Sequence, residues 1–399
     1  MIWFLLIVAM FAFYVMRPEE RARVIRPVVG TLRQAGIVAA YGHPQHQPFE
    51  AALRGRTPFL LVTPILVAAN VLTFVFMVLG SGSLSDPETL VRWGGNLGPR
   101  TTNGEWWRLL SATYVHSGTL PLLATLIGLI PVGLVLERLV GHLATAATYV
   151  GAGLIASIVV LIQHPVTVNV GGSSAVFGLH GLLIAALVWN VRRRSTATVP
   201  IGVLKTLLPA IGLFLLLHAA TQGIGIADAF ALLVGVIYGM STAKRIEVRK
   251  PSVRQVGIAF GSTFALVALA AIPLHGLTDV RPEIEHVAEV EARTADAYQR
   301  AVDQFKLGAL TNEALAHVID RTIVPELQAV SARLTALGKV PPQQRPLLDS
   351  AREYLRLRHE SWRIRAQAIQ KRSSIALRQA DTTERASLDV LEKIKPTNQ

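Results

Sequence analysis

The stretch Gly171-Gly172-Ser173-Ser174-Ala175-Val176-Phe177-Gly178 puts a hydroxyl and a run of small residues at the head of an apolar segment. A serine so placed can serve as a nucleophile if a base takes its proton and donors hold the charge developing on the attacked carbonyl oxygen. Apolar segments flank it on both sides, so Ser173 is expected to face lipid or a small aqueous cavity. The chain has no cysteine, which excludes a disulfide framework, a thiolate nucleophile and a Cys-ligated metal. No metal-ligand spacing appears among its histidines and carboxylates, and no cofactor is expected.

The elements that must position Ser173 are membrane spans. Apolar residues make up 51% of the 399 and charged residues 16%, with a mean hydropathy of +0.43, the composition of a polytopic membrane protein. The net charge of +13 does not point to nucleic acid. Arg and Lys cluster beside apolar segments, where they set orientation and contact anionic lipid, and no nucleic-acid recognition motif accompanies them.

Residues 1–16 form a short apolar anchor followed by Arg17, Arg21, Arg23 and Arg26, with its N-terminus outside the cytoplasm. Residues 17–57 are a cytoplasmic connector. Apolar spans are then predicted at 58–80, 120–136, 143–162, 172–191, 201–217, 227–240 and 256–274. Arg54 and Arg56, then Arg138, then Arg192 to Arg194, then Lys244, Arg245, Arg249 and Lys250 fall at alternate ends of these spans. The positive-inside rule makes that side the cytoplasm and turns the Ser173 end to the opposite face.

From residue 278 to 399 the chain becomes polar and rich in Ala, Glu, Arg and Leu. Helical periodicity runs through Ala314, Val318, Ile319, Ile323, Leu327 and Val330, breaks at Pro341-Pro342 and resumes from about 346 to 394. A three-helix hairpin or bundle outside the cytoplasm is expected, able to dock a protein partner, with no converging polar cluster.

Trp106-Trp107-Arg108-Leu109-Leu110-Ser111-Ala112-Thr113-Tyr114-Val115-His116 resembles the loop before the second core helix of rhomboid intramembrane serine proteases. Glu137-Arg138 with Gly141 is similar to that family's helix-end motif. Gly171 to Gly178 is similar to its Gly-x-Ser-Gly-x-x-x-Gly segment, with Ser174 in place of the second glycine. Order and spacing agree over roughly 58–240. The resemblance implies an all-α polytopic fold with a six-helix rhomboid-like core at 58–243. One extra transmembrane helix stands at each end, at 1–16 and 255–275, and a helical extramembrane domain follows at 278–399.

The resemblance also assigns roles. Ser173 falls on the nucleophile, and Gly172 and Ser173 supply backbone donors to the oxyanion. The family's general-base His aligns with Asp228 in Ala227-Asp228-Ala229-Phe230-Ala231-Leu232-Leu233-Val234-Gly235, and its oxyanion His and Asn align with Pro121 and Thr125. Trp107, Arg108, His116, Glu137, Arg138, Gly171, Gly178 and Gly235 are the motif's structural residues.

An ordinary carboxylate, with a pKa of about 3.9, is too acidic to serve as the base near neutrality. Pro121 offers no donor, and each oxyanion donor lost commonly costs a factor of about 100 to 1,000. His218, ten residues before Asp228, is the candidate substitute base, oriented by Asp228. His116 and His164 lie towards the same mouth, and His180 sits about two turns deeper.

Plainer roles stand beside these. Ser173 and Ser174 can simply let helices approach closely; Asp228 can pair with His218, Gln222 or a serine hydroxyl; His180 and His142 can be satisfied interhelical groups. The expected function is a multi-pass pseudoprotease, in a bacterial cytoplasmic membrane, that binds transmembrane segments of client proteins. The alternative is an active endopeptidase using Ser173 and His218.

Overall fold

The computed structural model describes residue 55 and residues 57–80, 83–193, 201–242 and 250–394. The expected anchor, almost all of the connector, and Arg54, Arg56, Arg194, Lys244, Arg245 and Arg249 lie outside the described residues. Helices dominate, with no strand among the described residues. Two compact units emerge, Met1–Pro273 and Leu274–Gln399.

The first unit holds ten α-helices among the described residues. They are α1 Val62–Gly80, the short α2 Pro87–Arg92, α3 Gly98–Thr101 and α4 Arg108–Ser111, then α5 Thr119–Val140, α6 His142–Gln163, α7 Ser173–Arg193, α8 Ile201–Thr221, α9 Ile226–Thr242 and α10 Val253–Ala271. Helices α1, α5, α6 and α10 with its 3-10 extension are long and apolar enough to cross a bilayer, and α7, α8 and α9 carry shorter apolar stretches. The protein is an integral, multi-pass membrane protein. Helix α7 packs most closely on α9, α6 supports both, and α8 and α1 rest on α5. Leu129, Leu136, Tyr149, Val176, Leu179, Leu182, Phe214 and Ala231 are buried between them.

Small residues set the α7–α9 approach. A Cβ on Gly235 would lie 1.8 Å from the Gly178 carbonyl oxygen, and one on Gly181 would lie 2.1 Å from that of Leu232. Without a hydrophobic drive between helices in lipid, this close backbone packing is what association rests on.

Glu137 is not the solvated helix-end group that its position beside Arg138 suggests. It is fully buried, and its carboxylate accepts the N–H groups of Leu61, Val62 and Thr63 at 2.6, 2.7 and 2.7 Å. Those are unpaired donors at the start of α1, which the carboxylate caps from another helix. His142 Nδ1 adds a fourth contact at 2.6 Å.

The second unit has four long helical arms where the sequence predicted three. They are α11 Arg281–Lys306, then α12 Asn312–Val318 continued through a π turn at Ile319–Ile323 into α13 Val324–Ala336, then α14 Arg345–Lys371 and α15 Ser374–Ile394. Pro325 explains the π turn, since it lacks an N–H and crowds the carbonyl four residues back. The missed break falls at Arg372, in the left-handed region at φ 47°, with Ser373 Oγ accepting the Ala376 N–H at 3.3 Å. No Gly or Pro marks it.

A polar cluster does converge in this unit, against expectation. Buried Arg358 donates to Glu291 at 2.8 Å and Glu384 at 2.5 Å, and Arg365 donates to Asp381 at 2.7 Å. Arg358 also lies over the ring of Trp362, which meets Tyr298 edge-on at 4.7 Å. Charged residues spaced along three amphipathic helices read singly as a solvated face, and only the bundle brings them inward.

Two predictions follow from these contacts. Gly235→Ala should lower the melting temperature in detergent, equivalent to about 1–3 kcal/mol, whereas Gly257→Ala, with open space around it, should not.

The second concerns Asp279, which accepts the Arg281 guanidinium at 2.8 Å and the Gln344 amide at 2.7 Å. Burial pushes its pKa up, but these hydrogen bonds outweigh that and hold the carboxyl below its ordinary value. A depressed folded-state pKa contributes stability that is present above the unfolded value of about 3.9 and lost as pH falls through the lower one. Asp279→Asn should therefore destabilise the C-terminal unit by about 1 kcal/mol at pH 7. The difference in melting temperature from wild type should shrink as pH falls below about 3.9, the unfolded value.

Candidate functional site

The loop leading into α7 is pinned before the helix begins. Gly171, at φ +120°, donates its N–H to the Ala112 carbonyl at 2.9 Å. A Cβ on Gly172 would strike the Thr113 carbonyl and the Tyr149 hydroxyl, at 2.7 and 2.8 Å. Ser173 and Ser174 thus enter the first turn of α7 with fixed positions, and Ser173 is only 2% exposed.

The two serines take different partners. Ser173 Oγ donates to Gln222 Oε1 at 2.6 Å. Ser174 Oγ donates to Asp228 Oδ1 at 2.7 Å. The other carboxylate oxygen, Oδ2, accepts His218 Nε2 at 3.0 Å and the Gly225 N–H at 2.8 Å. Asp228, in the first turn of α9, therefore caps its own helix and ties α7 and α8 to it.

Ser174 and Asp228, the two side chains expected from the resemblance to depart from the family's patterns, touch each other. The carboxylate stands between a serine and a histidine, whereas a hydrolytic triad needs the imidazole in the middle, facing the serine.

His218 is 2% exposed. Its second ring nitrogen, Nδ1, is buried without a hydrogen-bond partner. The ring meets Phe177 edge-on at 5.2 Å and stacks on Phe214 at 5.9 Å. Phe214 also stacks with His180, at 5.2 Å, whose Nδ1 is on the Val176 carbonyl of its own helix at 2.8 Å.

The remaining histidines are elsewhere. His116 is fully buried against Asn70, at 2.9 Å, and His164 is exposed at the end of α6. Among the described residues no group of three or more His, Asp or Glu side chains could hold a metal ion.

Pro121 and Thr125, expected from the resemblance at oxyanion positions, are poor in side-chain donors. Pro121 has none, and the Thr125 hydroxyl donates to the Pro121 carbonyl at 3.0 Å within its own helix. Arg108 is buried and braces the preceding loop, donating to the carbonyls of Val91 and Gly95 and pairing with Glu105. Trp107 is 55% exposed, its ring 4.6 Å from the Arg108 guanidinium carbon.

With this geometry in hand, comparison with known proteins is direct. The rhomboid domain family matches residues 103–246. Over that stretch the chain carries a domain similar to the rhomboid family. Rhomboid protease GluP of Bacillus subtilis (strain 168) is 29% identical over 150 residues, which are 38% of this chain and 29% of that protein. RHOMBOID-like protein 5 of Arabidopsis thaliana is 39% identical over 89 residues, 22% of this chain and 29% of the relative. Inactive RHOMBOID-like protein 8 of the same plant is 32% identical over 123 residues, 30% and 35% of the two chains. The matched stretches thus span about a third of these relatives or less. No solved structure gives a significant match.

Gln222 is the site residue that sequence reasoning missed as a partner of Ser173. A signal was available in its place one turn after His218, among the glycines of Gly223-Ile224-Gly225.

If Asp228 unites three donors, Asp228→Ala should strand buried His218, Ser174 and the Gly225 N–H and cost about 1–3 kcal/mol. Ser174→Gly should cost less. The double variant should fall short of the sum when melting temperatures are compared in one detergent.

Proposed function

We propose that this rhomboid-like protein has a disabled peptidase site and uses the region around Ser173 to bind transmembrane segments of client proteins. The observation that carries this reading is the partner of Ser173. Its proton points at a side-chain amide oxygen, which is not a base, while His218 Nε2 is committed to Asp228. A hydroxyl without an imidazole to receive its proton is a weak nucleophile. The lack of side-chain donors at Pro121 and Thr125 supports the same conclusion.

In this proposal the site residues keep shape while chemistry is lost. Arg108, Glu137 and the glycines hold the core, Asp228 joins three helices, and Ser173 is a hydrogen-bonding group. The C-terminal unit lies outside the cytoplasm of a bacterial cell and recruits a protein partner. The alternation of basic clusters along the sequence supports that orientation.

A working endopeptidase is the second reading, favoured by one observation. His218 already has a carboxylate partner and retains a buried ring nitrogen without one, half of what a serine hydrolase requires.

A fluorophosphonate probe separates the two. Purified protein in detergent should show no labelling above that of Ser173→Ala, and no cleavage of a transmembrane reporter. Serine-dependent labelling together with cleavage that His218→Ala abolishes would establish the second reading instead.

A further inference from the structure

Among the described residues of the C-terminal unit, the large apolar side chains that stand exposed are Phe305, Leu307, Ile375 and Leu388. All but Leu388 share one end of the bundle. Phe305 and Leu307 lie where α11 gives way to the turn before α12, and Ile375 is in the first turn of α15, just past the end of α14. Glu291 and Tyr298 on α11 meet Arg358 and Trp362 on α14 in that order. From Tyr298 and Trp362 the two helices run on by roughly 12 Å to Lys306 and Lys371, so their closing turns are level.

Both turns are fixed by their own backbone. After α11, Leu307 donates its N–H to the Asp303 carbonyl, Gly308 to that of Phe305 and Ala309 to that of Gln304, at 3.1, 3.0 and 2.9 Å. After α14, Arg372 donates to the Ile369 carbonyl at 3.3 Å and Ser373 to that of Ala368 at 3.0 Å. Leu307, 84% exposed, and Ile375, 77% exposed, are thus held outward on ordered backbone.

The charge around them is one-sided. Within residues 303–313 and 369–379 the cations are Lys306, Lys371, Arg372 and Arg378, and the carboxylates are Asp303 and Glu313. All four cations are exposed and, among the described residues, make no ion pair. Asp303 accepts the Gln299 amide at 3.0 Å, and Glu313 lies in the first turn of α12, where it complements the helix dipole.

This combination suits lipid better than protein. The core of a protein interface is a continuous apolar patch depleted in lysine, whereas here single apolar side chains project from two turns with cations beside each. At a bilayer surface such side chains enter the acyl boundary, and Lys and Arg lay their stems along it with their heads on the phosphates.

We infer that this end of the C-terminal bundle is a membrane-contact tip: Phe305, Leu307 and Ile375 enter the surface of an anionic phospholipid bilayer, and Lys306, Lys371, Arg372 and Arg378 bind its headgroups. The tip is independent of client binding near Ser173 and of the protein partner proposed for the same unit.

The absence of cysteine gives a direct test, because Ser374→Cys places a unique thiol on an exposed residue beside Ile375. The full chain carrying an NBD fluorophore there is reconstituted in phosphatidylcholine nanodiscs, and vesicles of mixed phosphatidylcholine and phosphatidylglycerol are added. In a second arrangement the phosphatidylglycerol is in the nanodisc itself, which separates the protein's own bilayer from a facing one. NBD emission should shift to the blue in at least one arrangement, while the same fluorophore at Leu388→Cys should not respond.

Each basic side chain at an anionic surface contributes roughly fivefold to binding, so Lys371→Gln with Arg372→Gln should weaken it by more than about tenfold. Leu307→Ser with Ile375→Ser should weaken it by about tenfold or more. All four side chains are exposed, so the melting temperature should stay that of the parent. No shift in either arrangement, an equal shift with phosphatidylcholine alone, or a shift that survives either pair of substitutions would overturn the inference. Tighter binding of polyglutamate than of the mixed vesicles would also overturn it, making the tip a dock for acidic protein.

Discussion

The contact of α7 with α9 across Gly178 and Gly235 is the constraint from which the site takes its form. Because neither residue carries a side chain, the two backbones meet, and the head of α7 is drawn level with the first turn of α9. A hydroxyl on one helix then reaches a carboxylate on the other with little freedom to do otherwise. In a bilayer, where an unpaired carboxylate is costly, the donors of Ser174, His218 and Gly225 make Asp228 tolerable. Asp228 is thereby a structural joint between three helices.

Much of the membrane unit was legible in the sequence because apolar length and basic flanks report spans directly. The spans predicted at 120–136 and 143–162 correspond to Thr119–Val140 and His142–Gln163, with the helix-end glycine Gly141 between them. The short helices α2 to α4 were not legible. Their four to six residues give no periodicity, and buried Arg108 organises them by bonding to carbonyls far from it in sequence. In the C-terminal unit the Pro pair announced one turn, whereas the break at Arg372 rests on a left-handed residue that local sequence does not advertise.

The candidate site divides in the same way. Ser173 and Asp228 were identified from motif positions, yet the partner of each was decided by the fold. Ser174 and Asp228 are 54 residues apart, and Ser173 and Gln222 are 49 apart. The sequence offered His218, Gln222 and a serine hydroxyl as possible partners of Asp228. It did not show which serine Asp228 would bind, or that Ser173 would be left to an amide.

The buried charges of the C-terminal bundle fix a register whose consequence reaches the end of the chain. Glu291 meets Arg358, and Tyr298 meets Trp362 and Arg365, so α11 and α14 run the same way. Arg365 with Asp381 and Arg358 with Glu384 make α15 run back. Residues 281 and 394 therefore share one end of the bundle. The chain enters and leaves the described bundle at that one end, and the opposite end, with Leu307 84% and Ile375 77% exposed, carries neither connection.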